Sequence, residues 1–240
     1  MNVKRFSTFV CTWGLVVGAA DLTSIVEPII VRARQLAFEH MQDRSQGIPI
    51  ISIAGCSAVG KSYFTHVLFT ILKNYGVNVC VLHQDDYLNI DRTFAGFKIH
   101  PNLDHHSLDR FLEHAYRGEK NILKPCIVDK KKHVNYKMFD FSRVDIILFE
   151  GIYALTGTST YDFFKYANFG IFLDADTQNI VRWHASRNKN RPFFTRVGNS
   201  DLNQHASCLL YEYVRFILPS KLNASYVIYK DDLNSYRLMS

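Results

Sequence analysis

The sequence predicts an α/β fold, a mainly parallel β-sheet flanked by helices. Three observations carry that expectation. Short apolar, β-branched runs recur at 49–54, 77–82, 144–149, 170–173 and near 225–230. Between them lie stretches with apolar residues spaced three and four apart, the signature of helices with one buried face. Several of the short runs also deliver polar or acidic residues to their carboxyl ends, where ligands gather in open parallel sheets.

Taken in order, residues 22–42 read as an amphipathic helix, running from Leu22 through Ile25, Ile29, Ile30 and Ala33 to Phe38. Residues 49–54 form a buried strand. The following helix shows Phe64, Val67, Leu68, Ile71 and Leu72 on one face, and Gly76 closes it. A second strand, 77–82, delivers Gln84-Asp85-Asp86-Tyr87. Ser107 opens a short helix with Leu108, Phe111, Leu112 and Ala115 on one face, ending at Gly118. Residues 121–140 are polar and basic and read as a flap or hairpin. A third strand, 144–149, ends in Glu150-Gly151, and a fourth, 170–173, ends in Asp174-Ala175-Asp176. A helix over 177–188 carries Arg182, His184 and Arg187, and the basic segment 188–202 after it reads as a lid. A helix near 203–218 and a strand near 225–230 complete the chain. The expected organisation is an N-terminal extension with a helix over 1–48 and a main domain over 49–240. The flap spans about 121–140 and the lid about 188–202.

Between the first strand and its helix stands Gly55-Cys56-Ser57-Ala58-Val59-Gly60-Lys61-Ser62, which fits G-x-x-x-x-G-K-[ST]. The glycines permit a tight turn in which successive N–H groups converge on anionic oxygens. Lys61 brings a mobile ammonium to the β- and γ-phosphates, and Ser62 places a hydroxyl for Mg²⁺. Strand, glycine loop and helix N-terminus together form an anion site reinforced by the helix dipole. A nucleoside triphosphate is therefore the expected ligand, held by residues 55–63, Tyr63 included. The fold expectation sharpens to a P-loop NTPase-type sheet with a small flap and a lid.

Composition sets the other bounds. At 240 residues and 48% apolar, the chain can bury one sizeable core. A net charge of +6 suits polyanionic phosphates. The basic residues are scattered apart from Lys130-Lys131-Lys132, so nucleic acid is not the expected partner. Five separated cysteines without a C-x-x-C pair indicate neither a disulfide framework nor a zinc site, and fit a reducing cytoplasm. Lys4-Arg5 followed by an apolar stretch imitates a secretory signal, yet export would part a nucleotide-dependent protein from its nucleotide. A packed N-terminal helix or strand is the expectation, and no segment is long and apolar enough to span a bilayer. His100, His105 and His106 lack a fourth ligand at a sensible spacing for a metal.

From about Ile50 to Lys230 the chain resembles the uridine kinase, phosphoribulokinase and pantothenate kinase group of P-loop small-molecule kinases. The uridine kinase likeness lies in Gln84-Asp85-Asp86-Tyr87, in 103–109 (Leu-Asp-His-His-Ser-Leu-Asp) and in 148–152 (Leu-Phe-Glu-Gly-Ile). The pantothenate kinase likeness lies in the phosphate loop, in Phe172-Leu173-Asp174-Ala175-Asp176 with Arg182-Trp183, and in Ile217-Leu218-Pro219-Ser220. The loop is specific for the superfamily. The other motifs persuade through their order.

The resemblance implies an ATP- and Mg²⁺-dependent phosphotransferase acting on a hydroxyl of a small molecule. Asp85 matches the general base, with Asp86 as reserve, and Tyr87 follows on the acceptor side. Asp104 matches an acid that binds ribose hydroxyls, and His133 falls near a base-contacting histidine. Arg187 matches the lid-side arginine over the transferring group, Lys61 the phosphate lysine, and Glu150, with Ser62, the metal side. The departures fall on the acceptor side. Cys126 follows Pro125 where both families have a tyrosine, His105-His106 replaces His-Pro, and His184 replaces an arginine or tyrosine. The implied acceptor is a nucleoside, with pantothenate and other hydroxylated metabolites open. A nucleotide-binding module that has lost its acceptor site is the non-enzymatic alternative. Guanine specificity is not indicated, because Asn188-Lys189-Asn190-Arg191 lacks the aspartate of N-K-x-D. The implied setting is cytoplasmic, without nucleic acid or membrane, and compatible with a homo-oligomer.

Overall fold

The structure, a computed structural model, describes residues 19–88, 103–127, 134–158, 161–189, 207–232 and 235–239. The signal-like stretch, His100, His133, Arg191, Arg196 and most of the expected lid lie outside them.

The strands that sequence periodicity marks form one sheet, fully buried over 50–55 and 146–150 and mostly half-buried over 79–83. β1 (Ile50–Gly55) is buried at every position and lies near the middle. With β2 (Val79–His83), the hairpin strands β3 (Ile122–Ile127) and β4 (Val134–Phe139), β5 (Ile146–Glu150), β6 (Ala167–Asp174), β7 (Tyr226–Lys230) and β8 (Tyr236–Met239), the main sheet has the order β2-β5-β1-β6-β7-β8. Its first five strands pair in parallel, and β8 runs antiparallel to β7. β8 is only four residues long, too short for a periodic strand signal, and the sequence does not predict it.

α1 (Ala19–Gln42) buries Val26, Ile29, Ala33 and Ala37 at helical spacing in the same core as the sheet. At its end Arg44 pairs with the buried Asp145, 2.8 Å away, whose second oxygen accepts from the Asn78 N–H at 2.9 Å. α2 (Lys61–Asn74) follows the phosphate loop. α3 (His105–Tyr116) starts two residues earlier than the sequence suggests, because Asp104 is its cap and accepts from Ser107 N–H at 3.1 Å. α4 is Thr177–Lys189. A helical run over 207–223 includes a wider π-turn at Tyr213–Ile217 and a tighter 3₁₀ segment at Leu218–Asn223.

Within 121–140 the described residues form two antiparallel strands. β3 and β4 make a separate two-stranded antiparallel sheet with Leu123 opposite Met138 and Lys124 opposite Lys137. Its inner face meets α3, where Phe111 packs edge-on to Phe139 at 5.8 Å and to Phe141 at 5.7 Å.

Candidate active site

The parallel register brings the ends of β1, β2 and β5 to one edge. Ile53 and His83 both lie opposite Glu150. Gly55 ends β1 at φ +142°, and a side chain there would place its Cβ 2.4 Å from the Leu173 carbonyl oxygen. Only glycine lets the loop leave the sheet against β6. Ala58 (φ +69°) and Gly60 (φ +109°) also hold left-handed backbone, which curls the loop into a concavity of N–H groups. Gly60 caps α2 without a side-chain acceptor, and no acid occupies the first turn. The donors at that helix start are left for an anion.

The side chains of the loop divide by direction. Cys56 and Val59 are buried in the core, so they can meet a nucleotide only through their backbone. Burial pushes the Cys56 thiol up to about 11. Tyr63 is exposed. Lys61 is almost fully buried and its Nζ donates to the Cys56 carbonyl at 2.9 Å. Burial lowers its pKa, opposed by Glu150 and Asp85, so an incoming polyanion would favour its charged form. Ser62 Oγ donates to Glu150 Oε1 at 3.1 Å.

Glu150 Oε1 is also held at 2.8 Å by His83 Nδ1, from the neighbouring strand. Burial works to raise the Glu150 carboxyl, but the His83 bond, Lys61 and Ser62 outweigh it and hold it below its ordinary value. The same bond raises His83, against burial. Ser62 and Glu150 are hard oxygen donors side by side, which is the chemistry a Mg²⁺ site requires. Among the described residues no cluster of three His, Cys, Asp or Glu could hold a metal alone.

Arg187, on α4, reaches across to donate to Ser57 Oγ at 2.8 Å, so α4 is tied to the phosphate loop itself. His184 is buried on the same helix. On the outer side of Gly60 stand Lys230 and Tyr236. A Cβ on Gly60 would come within 3.5 Å of Tyr236 Oη and 3.9 Å of Lys230 Nζ. Lys230 lies over the Trp183 ring, 4.2 Å from its centroid.

The acceptor-side residues also converge. Gln84–Tyr87 form a 3₁₀ turn directly after β2. The Tyr87 carbonyl accepts from Asp104 N–H at 2.8 Å, and Leu88 bridges to Leu103, so the turn and the start of α3 are joined by backbone. Tyr87 is buried 5.8 Å from the Phe111 ring centroid. Asp86 forms an ion pair with the buried Lys124 of the hairpin. Asp85 is exposed, and its charge is felt by Lys61. One carboxylate of the pair is tied down; the other faces outward.

Four participants had no place in the sequence reading. His83 adjoins the Gln-Asp-Asp-Tyr motif and could have been suspected from that position. Lys124 sits in a run without periodic signal, and its burial depends on a partner 38 residues earlier. Lys230 and Tyr236 reach the loop only through the β7–β8 pairing. Conversely, Asp174 ends a strand as expected but is taken up by structure, accepting from Tyr213 Oη at 2.9 Å and Lys221 Nζ at 2.7 Å.

The fold is that of the P-loop small-molecule kinases. Phosphoribulokinase from Rhodobacter spheroides superposes with a TM-score of 0.63 at 16% identity, over 77% of this chain and 71% of that one. No protein-family profile matches the sequence. Among curated proteins, the pantothenate kinase of Histophilus somni is 31% identical over 154 residues, 58% of this chain and 48% of that protein. The pantothenate kinase of Agrobacterium fabrum is 28% identical over 207 residues, 74% of this chain and 62% of that protein. The chain thus spans about half to three-fifths of the length of these relatives. The superfamily resemblance is visible in sequence and in fold. Among the described residues, no helix is long and apolar enough to cross a membrane.

Proposed function

We propose that this chain is a phosphotransferase that moves the γ-phosphoryl group of ATP to a hydroxyl of a small molecule. The observation that supports it most directly is the placement of the exposed Asp85 one strand away from the Lys61–Glu150–Ser62 cluster, within electrostatic reach of Lys61. Base, phosphate lysine and metal-side carboxylate then share one sheet edge.

Phosphoryl transfer asks the protein mainly for position and charge. The loop N–H groups and Lys61 would hold the phosphates. Arg187, already beside Ser57, would neutralise charge on the transferring group. Asp85 would orient the acceptor hydroxyl and take its proton, a role worth about 10²–10⁴ in rate. Ser62 and Glu150 would hold Mg²⁺ or its water, and the ion supplies charge neutralisation across the phosphates. We assign this chemistry to residues 49–240, with 1–48 as an extension, 121–140 as flap and 188–202 as lid.

For the acceptor, the nucleoside reading rests on Gln84-Asp85-Asp86-Tyr87 and Asp104. A second reading, pantothenate, is favoured by the relatives that bear that name. The test is ADP release from ATP·Mg²⁺ against uridine, cytidine, nicotinamide riboside, pantothenate, glycerate, ribulose 5-phosphate and a blank, beside Asp85→Asn. Turnover with one acceptor, lost in the variant, establishes the kinase. Tight ATP binding with no acceptor above the blank would instead support the nucleotide-binding module.

A further inference from the structure

We propose that Lys124 is a positioning residue for the acceptor-side base: by anchoring Asp86 it holds the turn that presents Asp85. The inference rests on the kinase reading above.

The hairpin alone gives Lys124 no reason to be where it is. The side chain is 3% exposed, although buried ammonium groups are strongly unfavourable unless paired. Its cross-strand neighbour is Lys137, and like charges directly opposite one another destabilise a strand pair. The outer face of the same hairpin exposes Leu123, Tyr136 and Met138, while Lys124 shares the inner face with Ile122 and Phe139, so a cation sits among apolar groups packed against the core. The missing counter-charge comes from another element. Asp86, in the turn after β2, pairs with Lys124, and the rings of Phe139 and Phe111 lie 5.5 and 6.0 Å from its ammonium.

The effect falls on the neighbour. Gln84 is buried and its Oε1 accepts from Tyr153 N–H at 2.9 Å. Asp86 is held by Lys124. Tyr87 is held through its carbonyl by Asp104 N–H and through its ring by Phe111. Three of the four turn residues are thus pinned by three different elements, and Asp85 is the one whose side chain is left outward. A base must sit within hydrogen-bond reach of its proton, and a small displacement is costly. Lys124 is the pin that also ties the acceptor-side hairpin to that turn.

The test compares the full chain with Lys124→Met and with Asp86→Asn/Lys124→Met, which removes both charges together. Three readouts are taken: kcat and KM on the acceptor found above, hydrogen–deuterium exchange of peptides covering 84–88, and thermal melting. In Lys124→Met we expect kcat to fall about 10–100-fold with KM for ATP nearly unchanged. Exchange at 84–88 should rise about tenfold while β1 and α2 keep their protection. The double variant, which lacks the anchor as well, should keep most of both effects, whereas near wild-type kcat and exchange in it would mean that an unpaired buried charge, not a lost anchor, caused them and would overturn the proposal. Unchanged kcat and exchange in Lys124→Met would overturn the proposal. So would faster exchange spread evenly over the sheet, which would make the pair a general stabiliser. If the single variant does not fold, the double variant still decides: faster exchange at 84–88 with lowered kcat supports the proposal, and wild-type values for both overturn it. If the wild-type chain turns over no acceptor, the kinase reading fails, and the exchange data separately decide whether Lys124 holds the turn.

Discussion

The phosphate loop and the turn proposed for the acceptor side stand at strand ends with β5 between them, and are held by different means. The loop is a backbone construction. Gly55 presses against the Leu173 carbonyl, Gly60 opens α2, and the donors that face a phosphate belong to the main chain. The turn at Gln84–Tyr87 depends on side chains as well as on its backbone link to α3. Its residues are fixed by Tyr153, by Lys124 from a second sheet, and by the start of α3. A backbone site tolerates change in whichever side chains point away from it, as Cys56 shows. A side-chain site can be retuned by one substitution on a distant element.

The contrast can be broken at its most sensitive point. Asp85→Asn should lower turnover by about 10²–10⁴ while leaving ATP affinity in place, checked by steady-state kinetics beside nucleotide titration. Equal loss of both would mean that the two walls are not separable.

Next in size is the backbone wall itself. Gly55→Ala forces a Cβ to 2.4 Å from the Leu173 carbonyl oxygen at φ +142°, and should cost about 1–3 kcal/mol or more in urea unfolding. Gly76→Ala provides the control. Its φ is +81° but nothing lies within 4 Å, so only the conformational cost of about 1 kcal/mol applies.

Asp104 sharpens the acceptor side. Asp104→Ala removes the α3 cap and should cost about 1 kcal/mol, whereas Asp104→Ser keeps a capping oxygen. If Asp104 also binds the acceptor, the serine variant will melt like wild type yet show a raised acceptor KM. Two unchanged values would confine Asp104 to capping.

The smallest effect concerns the seam between the walls. His83 is raised by its bond to Glu150, so its stabilising contribution is full below about 6.5 and fades as pH climbs through the elevated folded value. Glu150 is held low, so its contribution persists above 4.5 and is lost as pH falls through its depressed value. The melting-temperature advantage of wild type over His83→Gln should therefore shrink on the alkaline side of neutrality. An advantage that grows there would be inconsistent with a His83–Glu150 pair.

Much of this was legible in the residues themselves. The Gly-x-x-x-x-Gly-Lys-Ser spacing specifies a local conformation, and apolar period specifies each main strand, so β1, α2 and the strand-end acids could be placed in advance. Asp85 could be named by its position after an apolar, β-branched run, although that strand lies at the sheet edge and is only half-buried. Boundaries moved where a side chain bonded locally, as when Asp104 drew the start of α3 back to His105. β8 was missed because its burial is slight and its pairing is with β7, which no local pattern records.

By itself, then, the sequence determined whatever follows from neighbours along the chain: the phosphate loop, the strand and helix alternation, and carboxylates at or just after the ends of β2, β5 and β6. The tertiary structure decided which of those carboxylates remain available. Asp174 is taken by Tyr213 and Lys221, Asp86 by Lys124, and Glu150 by Ser62 and His83, while Asp85 stays outward. A charge buried in a low-dielectric interior must find its counter-charge wherever the fold brings one, however far away in sequence.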